Sequence, residues 1–157
     1  MRAILRLLPL LLLAACFGEG AEGIAPPPPG ALEQAGLSGP HTAIAAPAGT
    51  RPAPDIVTRP YPVPAAQLFA AITAVAATEP RSFPLDRHPE RLEAAYVVRS
   101  RVIGFPDVVL LRVTAAGDAA STLVLHSSSR YGHYDFGVNK ARLAHWLARL
   151  DVVLPPP

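Results

Sequence analysis

Between residues 64 and 150 the apolar side chains change period twice, and no other feature constrains the fold as tightly. From Pro64 to about Thr78, Ala65, Leu68, Ile72 and Val75 recur at helical spacing on one face. Pro64 suits the first turn of a helix, and Glu79-Pro80 ends the run. The period then falls to two. Strands are predicted near Arg81 to Leu85 and over Leu92 to Arg101, Val108 to Thr114 and Ser121 to Ser127. Leu92, Ala94, Tyr96 and Val98 alternate to one side of their run, as do Val109, Leu111 and Val113 of theirs. Ala115-Ala116-Gly117-Asp118 reads as a hairpin connection. Helical spacing returns from about Gly137 to Leu150, with Leu143, Trp146, Leu147 and Leu150 as the apolar stripe and Arg142, His145 and Arg149 as the wet face. An α+β domain buries both stripes most simply: an antiparallel sheet of about four strands, with the N-terminal and the C-terminal helix packed on one face.

The chain upstream of this domain has a different character. Arg2 and Arg6 precede an apolar run from Leu7 to Leu13, broken only by Pro9, which is the layout of an export signal and too short to span a bilayer. The run ends in Leu13-Ala14-Ala15-Cys16, which resembles the lipobox of bacterial lipoproteins. That resemblance implies cleavage after residue 15 and a diacylglyceryl thioether on Cys16 with an added N-acyl group such as palmitate. Several acyl chains hold a protein stably where one does not. Phe17 rather than Asp follows the cysteine. By the same resemblance this implies the outer membrane, with the domain facing the periplasm.

Removal of the signal changes the charge argument. The chain holds 14 Lys and Arg against 12 Asp and Glu, and the loss of Arg2 and Arg6 leaves them equal. A nucleic-acid surface needs a local basic excess, so no nucleic-acid partner is expected. Cys16 is the only cysteine, and once lipidated it leaves no thiol for a disulfide, a metal or redox chemistry. Residues 16–53 are dominated by Ala, Gly and Pro, including Pro26 to Pro29, and read as a disordered tether. A flexible chain of that length spans about 30 to 35 Å, enough to let a domain at residues 54–154 work away from the membrane. Asp55 to Thr58 offers the alternative of an extended strand lying along the domain, Ile56 and Val57 being the first apolar pair after the tether.

The stretch Ser127-Ser128-Ser129-Arg130-Tyr131-Gly132-His133-Tyr134-Asp135-Phe136-Gly137-Val138-Asn139, with Arg142 after it, resembles domain-of-unknown-function family number 1499. The pattern falls on Ser127, Ser129, Arg130, Gly132, Asp135, Gly137, Asn139 and Arg142, and an upstream Gly-Phe-x-Asp segment on Gly104, Phe105 and Asp107. Two positions depart from it. His126 stands where the family often has Arg, and Val108 where a second acidic residue is frequent. The resemblance implies a domain spanning roughly Asp55 to Val153 and a set of motif residues, but no reaction and no cofactor.

Residue chemistry points to binding rather than catalysis. Asp135, two residues before the final helix, suits a carboxylate that accepts from free helix N–H groups. Asn139 lies on the edge of the buried stripe, and its amide is expected to meet backbone groups of the preceding loop. Asp107 is expected to pair with Arg130 or Arg101. His126, His133 and Asp135 are close in sequence, but their spacing matches no metal-ligand pattern, so no metal is expected. Ser127 to Ser129 lack the Gly-x-Ser-x-Gly turn of serine hydrolases. Ser127, Ser129, Arg130 and Arg142, beside the start of the final helix, instead suggest a site for an anionic small molecule or envelope component. The resulting expectation is a non-enzymatic envelope lipoprotein that binds or positions a partner. The alternatives are a hydrolase of envelope material using Asp135, His133 or Arg130, and a structural assembly subunit.

Overall fold

The computed structural model describes residues 20–34, 39–132 and 134–156, so the signal segment, Cys16 and His133 lie outside the described residues. In chain order the elements are α1 (Ala31–Gln34), β1 (Thr42–Pro47), β2 (Ile56–Thr58), α2 (Ala65–Thr78), β3 (Ser82–His88), a 3-10 turn (Pro89–Arg91), β4 (Glu93–Arg99), β5 (Pro106–Ala115), β6 (Ser121–Ser129) and α3 (Val138–Val153). All six strands form one mixed sheet in the order β2-β1-β6-β5-β4-β3. The pair β1 and β2 runs parallel, and the other neighbours are antiparallel.

The predicted helices and the four predicted strands are present, and both long helices share one face. Leu68, Ile72 and Val75 of α2 and Leu143, Trp146 and Leu150 of α3 join Tyr96, Val98, Val109, Leu111, Leu123 and Leu125 in one buried cluster. Each large side chain so buried contributes roughly 1.5 to 3 kcal/mol. Trp146 meets the edge of Tyr96, with ring centroids 6.0 Å apart.

The sheet has six strands rather than about four, and it is mixed rather than antiparallel. The two further strands come from the stretch read as tether and its border. Thr42–Pro47 lies between β2 and β6, with Ala43 and Ala45 beneath the helices. Alanines carry little hydrophobic signal, yet their small side chains suit a strand closely covered by a helix. Asp55 fixes the crossing from β1 to β2: its carboxylate accepts from Ile44 N–H at 2.9 Å, and its own N–H donates to the Ile44 carbonyl.

The second face of the sheet is covered as well. Residues 20–34 run across it as a strap, with Ile24 and Leu32 buried against Ala95, Val97, Val108 and Leu110. Arg99 pins the start of this strap. Its guanidinium is buried and donates to the carbonyls of Gly20 (2.7 Å), Glu22 (2.9 Å) and Gly104 (3.0 Å). Farther along, Arg112 pairs with Glu33. The prolines within the strap bring no N–H groups that would need partners at the sheet surface. Burial on both faces explains why β4 and β5 read as continuous apolar runs, Ala94 to Val98 and Val108 to Leu111, rather than as alternating ones.

Candidate functional site

The motif residues divide between the two faces because β6 alternates. Leu123, Leu125 and Ser127 point toward the helices, whereas His126 and Ser128 point toward the strap, where they line a groove with Arg130.

On the helix side the polar residues satisfy one another. Asn139 is fully buried, and its Nδ2 donates to the His41 carbonyl and to Ser129 Oγ, each at 3.0 Å. Its Oδ1 accepts from Ser127 Oγ at 2.6 Å and from Arg142 Nη1 at 2.5 Å. All four bonding positions of the amide are therefore used. Arg142 also donates to Ser127 Oγ at 2.8 Å and reaches Asp107 Oδ2 at 2.5 Å. At 10% side-chain exposure, it is a buried ion-pair partner rather than part of the wet face of α3. Asp107 thus pairs with neither Arg130 nor Arg101. Asp135 completes the set, accepting from Gly137 N–H at 2.9 Å and Asn139 N–H at 3.0 Å. Partial burial pushes the Asp135 carboxyl upward, but these N–H donors outweigh it and hold the carboxyl below the ordinary carboxylate value.

This network ties β1, β5 and β6 to the first turns of α3, and it saturates the Asn139 amide at its centre. The expected anion site does not assemble: Ser127, Ser129 and Arg142 lie under α3, Asp135 already occupies the helix start, and Arg130 lies across the sheet. The serine hydroxyls contact Asn139 and Arg142, not a base. His126 and Asp135 are on opposite sides, and among the described residues no three side chains are placed to hold a metal ion.

On the strap side a groove of about 250 Å³ runs between Pro27, Pro28 and Ala31 and the sheet residues Val108, Leu110, His126, Ser128 and Arg130. His126 is only 3% exposed, and neither ring nitrogen meets a hydrogen-bond partner among the described residues. Burial pushes its pKa below the ordinary value, so the ring is neutral at neutral pH, with one N–H donor and one bare acceptor. Leu110 and Ile44 flank it on the neighbouring strands. Arg130 is exposed at the groove's edge; its backbone N–H donates to the Pro106 carbonyl, and among the described residues its guanidinium pairs with no carboxylate. The sequence signal for this site is a histidine on the same strand face as Thr122, Val124 and Ser128, and it becomes legible only once the strap is known to cover that face.

The family described as "Protein of unknown function (DUF1499)" matches residues 27–150. That match begins inside the strap, so strap and sheet fall within one unit. A solution NMR structure from Thermobifida fusca is similar at 10% identity, over 72% of this chain and 87% of that one, with a TM-score of 0.44. No curated protein matches the chain.

Proposed function

We propose, for a chain that belongs to the family of unknown function DUF1499, a non-enzymatic envelope lipoprotein whose strap-side groove binds a small anionic molecule with an apolar portion. The observation that carries this reading is His126, a buried imidazole that borders the groove and whose two covered ring nitrogens meet no hydrogen-bond partner among the described residues. Buried polar groups are nearly always hydrogen-bonded, and leaving one unpaired costs about 1 to 3 kcal/mol. An anionic ligand that reaches the ring and accepts from its N–H offsets part of this cost. Arg130 supplies the charge at the edge, and Val108, Leu110 and the strap prolines supply an apolar wall. A groove this size lies at the small end of ligand sites, which suits a head group or short-chain acid rather than a whole lipid. The anchor at Cys16 rests on the lipobox-like Leu13-Ala14-Ala15-Cys16, and placement at the outer membrane on Phe17. Among the described residues no helix is long and apolar enough to cross a membrane. A hydrolase reading finds no support in the serines, whose hydroxyls are bound within the α3 network.

Two measurements test this reading. In mass spectra of protein purified from membranes, the mature chain should begin at a lipid-modified Cys16, and Cys16→Ser should leave the precursor uncut; an unmodified terminus elsewhere rules out the lipoprotein. For the groove, titration with octanoate and with inorganic phosphate should shift the His126 ring-nitrogen NMR signals. Octanoate should bind at about millimolar strength, as expected for a ligand of about ten heavy atoms. Octanoate binding that survives both His126→Leu and Arg130→Ala, or an absence of any shift, rules out the groove.

A further inference from the structure

We infer that the end of the domain formed by the β4–β5 loop and the β6–α3 loop rests on the bilayer that anchors the chain. This rests on the lipoprotein reading, but the observations behind it concern a different surface from the groove.

These loops leave the same end of the sheet, since Arg99 pairs with Pro106 and Asp107 with Ser129. Between them they expose Val102 (89%), Phe136 (88%), Tyr134 (67%), Ile103, Tyr131 and Phe105. Phe105 and Tyr131 lie side by side with centroids 6.3 Å apart, and Tyr134 packs on Phe136 at 5.6 Å, so the rings form pairs facing solvent. A contiguous exposed apolar patch on a small domain marks an interaction surface. Tyrosines interleaved with aliphatic residues suit the boundary between lipid head groups and chains. Arg101 and Lys140 are exposed beside the patch, and Arg130 stands between its loop and the groove; their charge favours anionic head groups. Among the described residues the acids nearby are largely committed: Asp107 is buried on Arg142 and Asp135 caps α3, leaving Glu22 exposed, while Glu19 stands in the sequence between Cys16 and Gly20.

The occupant is identified by the place of Gly20, four residues after Cys16. Arg99, at the end of β4, holds the carbonyl of Gly20 at this same end. Only four peptide steps separate Gly20 from Cys16, and they can bridge at most about 14 Å. A lipidated Cys16 therefore brings the membrane surface to these loops. The strap replaces the long tether with a short leash, and the apolar end is the one it draws down.

The experiment uses full-length protein, purified from membranes and reconstituted into vesicles of phosphatidylethanolamine and phosphatidylglycerol with brominated acyl chains. Three single variants, Phe136→Trp, Val102→Trp and Val152→Trp, are compared with the wild type, whose only tryptophan, Trp146, is buried and serves as the reference. Val152 is 83% exposed at the far end of α3, about 20 Å from the helix start. The emission added by Phe136→Trp and Val102→Trp should fall several-fold relative to unbrominated vesicles, while that added by Val152→Trp should not. Unchanged emission from the two loop variants, or equal quenching at all three sites, overturns the proposal even when mass spectrometry finds lipid on Cys16. Absence of that lipid overturns the lipoprotein reading and the proposal with it.

Discussion

The two faces of the sheet are both apolar and both covered, yet they are closed by different means. On one side two amphipathic helices bring self-bonded backbones and a large interlocking cluster, and the polar residues beneath α3 satisfy one another. On the other side a short strap rich in prolines lies over a smaller cluster and leaves a groove with an unsatisfied histidine on its wall. The first arrangement is what stability alone requires. The second gives up stability at one place, and in a folded protein such a concession points to binding.

Breaking the helix-side network should have the largest effect. Asp107→Ala or Arg142→Ala leaves a buried charge without its partner and should cost about 3 to 5 kcal/mol in denaturant melts. The paired replacement Asp107→Leu with Arg142→Met should cost clearly less than either single change, because no lone charge remains. A single loss below 1 kcal/mol would mean that the pair is wetter than its burial indicates and that the two faces are not so different.

The strap should yield more locally. Leu32→Ala removes one of its two main apolar contacts and should cost about 2 kcal/mol, the low end for such a truncation, because the thin cover can settle. Hydrogen exchange should quicken over residues 20–34 and the facing part of β5 while α2 and α3 stay protected. Equal quickening in the helices would show that strap and core open as one unit.

These two tests fall where sequence reading succeeded and where it did not. Leu68, Ile72, Leu143 and Trp146 announce helices by spacing, and Tyr96 with Val98 or Val109 with Leu111 announces the face beneath them. Ala43 to Ala46 could not announce β1, since an alanine strand and an alanine-rich linker look alike until a helix is placed over one of them. The prolines at 26–29 read as disorder by composition, although lacking N–H groups is also what lets such a segment lie on a sheet. The unbroken run Val108 to Leu111 held the correction, for a strand open to water on one side would have alternated. Of the site, Asp135 stood out as the partner of the α3 start by position alone. Arg142 was misplaced because helical spacing puts it near the polar face, and only its reach across to Asp107 turns it inward.

The Asp135 contact is the next smaller effect. Asp135→Ala should cost about 0.5 to 2 kcal/mol and Asp135→Asn less, since the single amide oxygen still accepts from one of the two N–H groups that the carboxylate's two oxygens meet. The folded carboxyl is depressed, so its charge stabilises the fold above the ordinary carboxylate pKa, and this contribution fades as pH falls through the folded value. The gap between wild type and Asp135→Asn should therefore narrow under acid. A gap independent of pH would assign the contact to geometry alone.

The smallest change, with the opposite sign, is expected at His126. Replacing one partner of a satisfied buried bond destabilises, but His126 has no partner among the described residues, so His126→Leu removes an unpaired donor and acceptor and adds apolar contact with Leu110 and Ile44. It should raise stability by up to about 1 kcal/mol at neutral pH. The gain should widen on acidification, because the wild-type imidazole takes up a proton near pH 6.5 when unfolded and only at lower pH when folded. Between those values the unfolded chain binds more protons, so wild-type stability falls with pH while that of the variant does not fall on this account. Melts of the two proteins at pH 7.5 and pH 5.5 decide it. If His126→Leu is instead destabilised by more than 1 kcal/mol at both, the imidazole is bonded within the fold and the groove loses its motive. If the variant is more stable yet no longer binds octanoate, then the strap-side face holds a polar group that folding does not need and binding does.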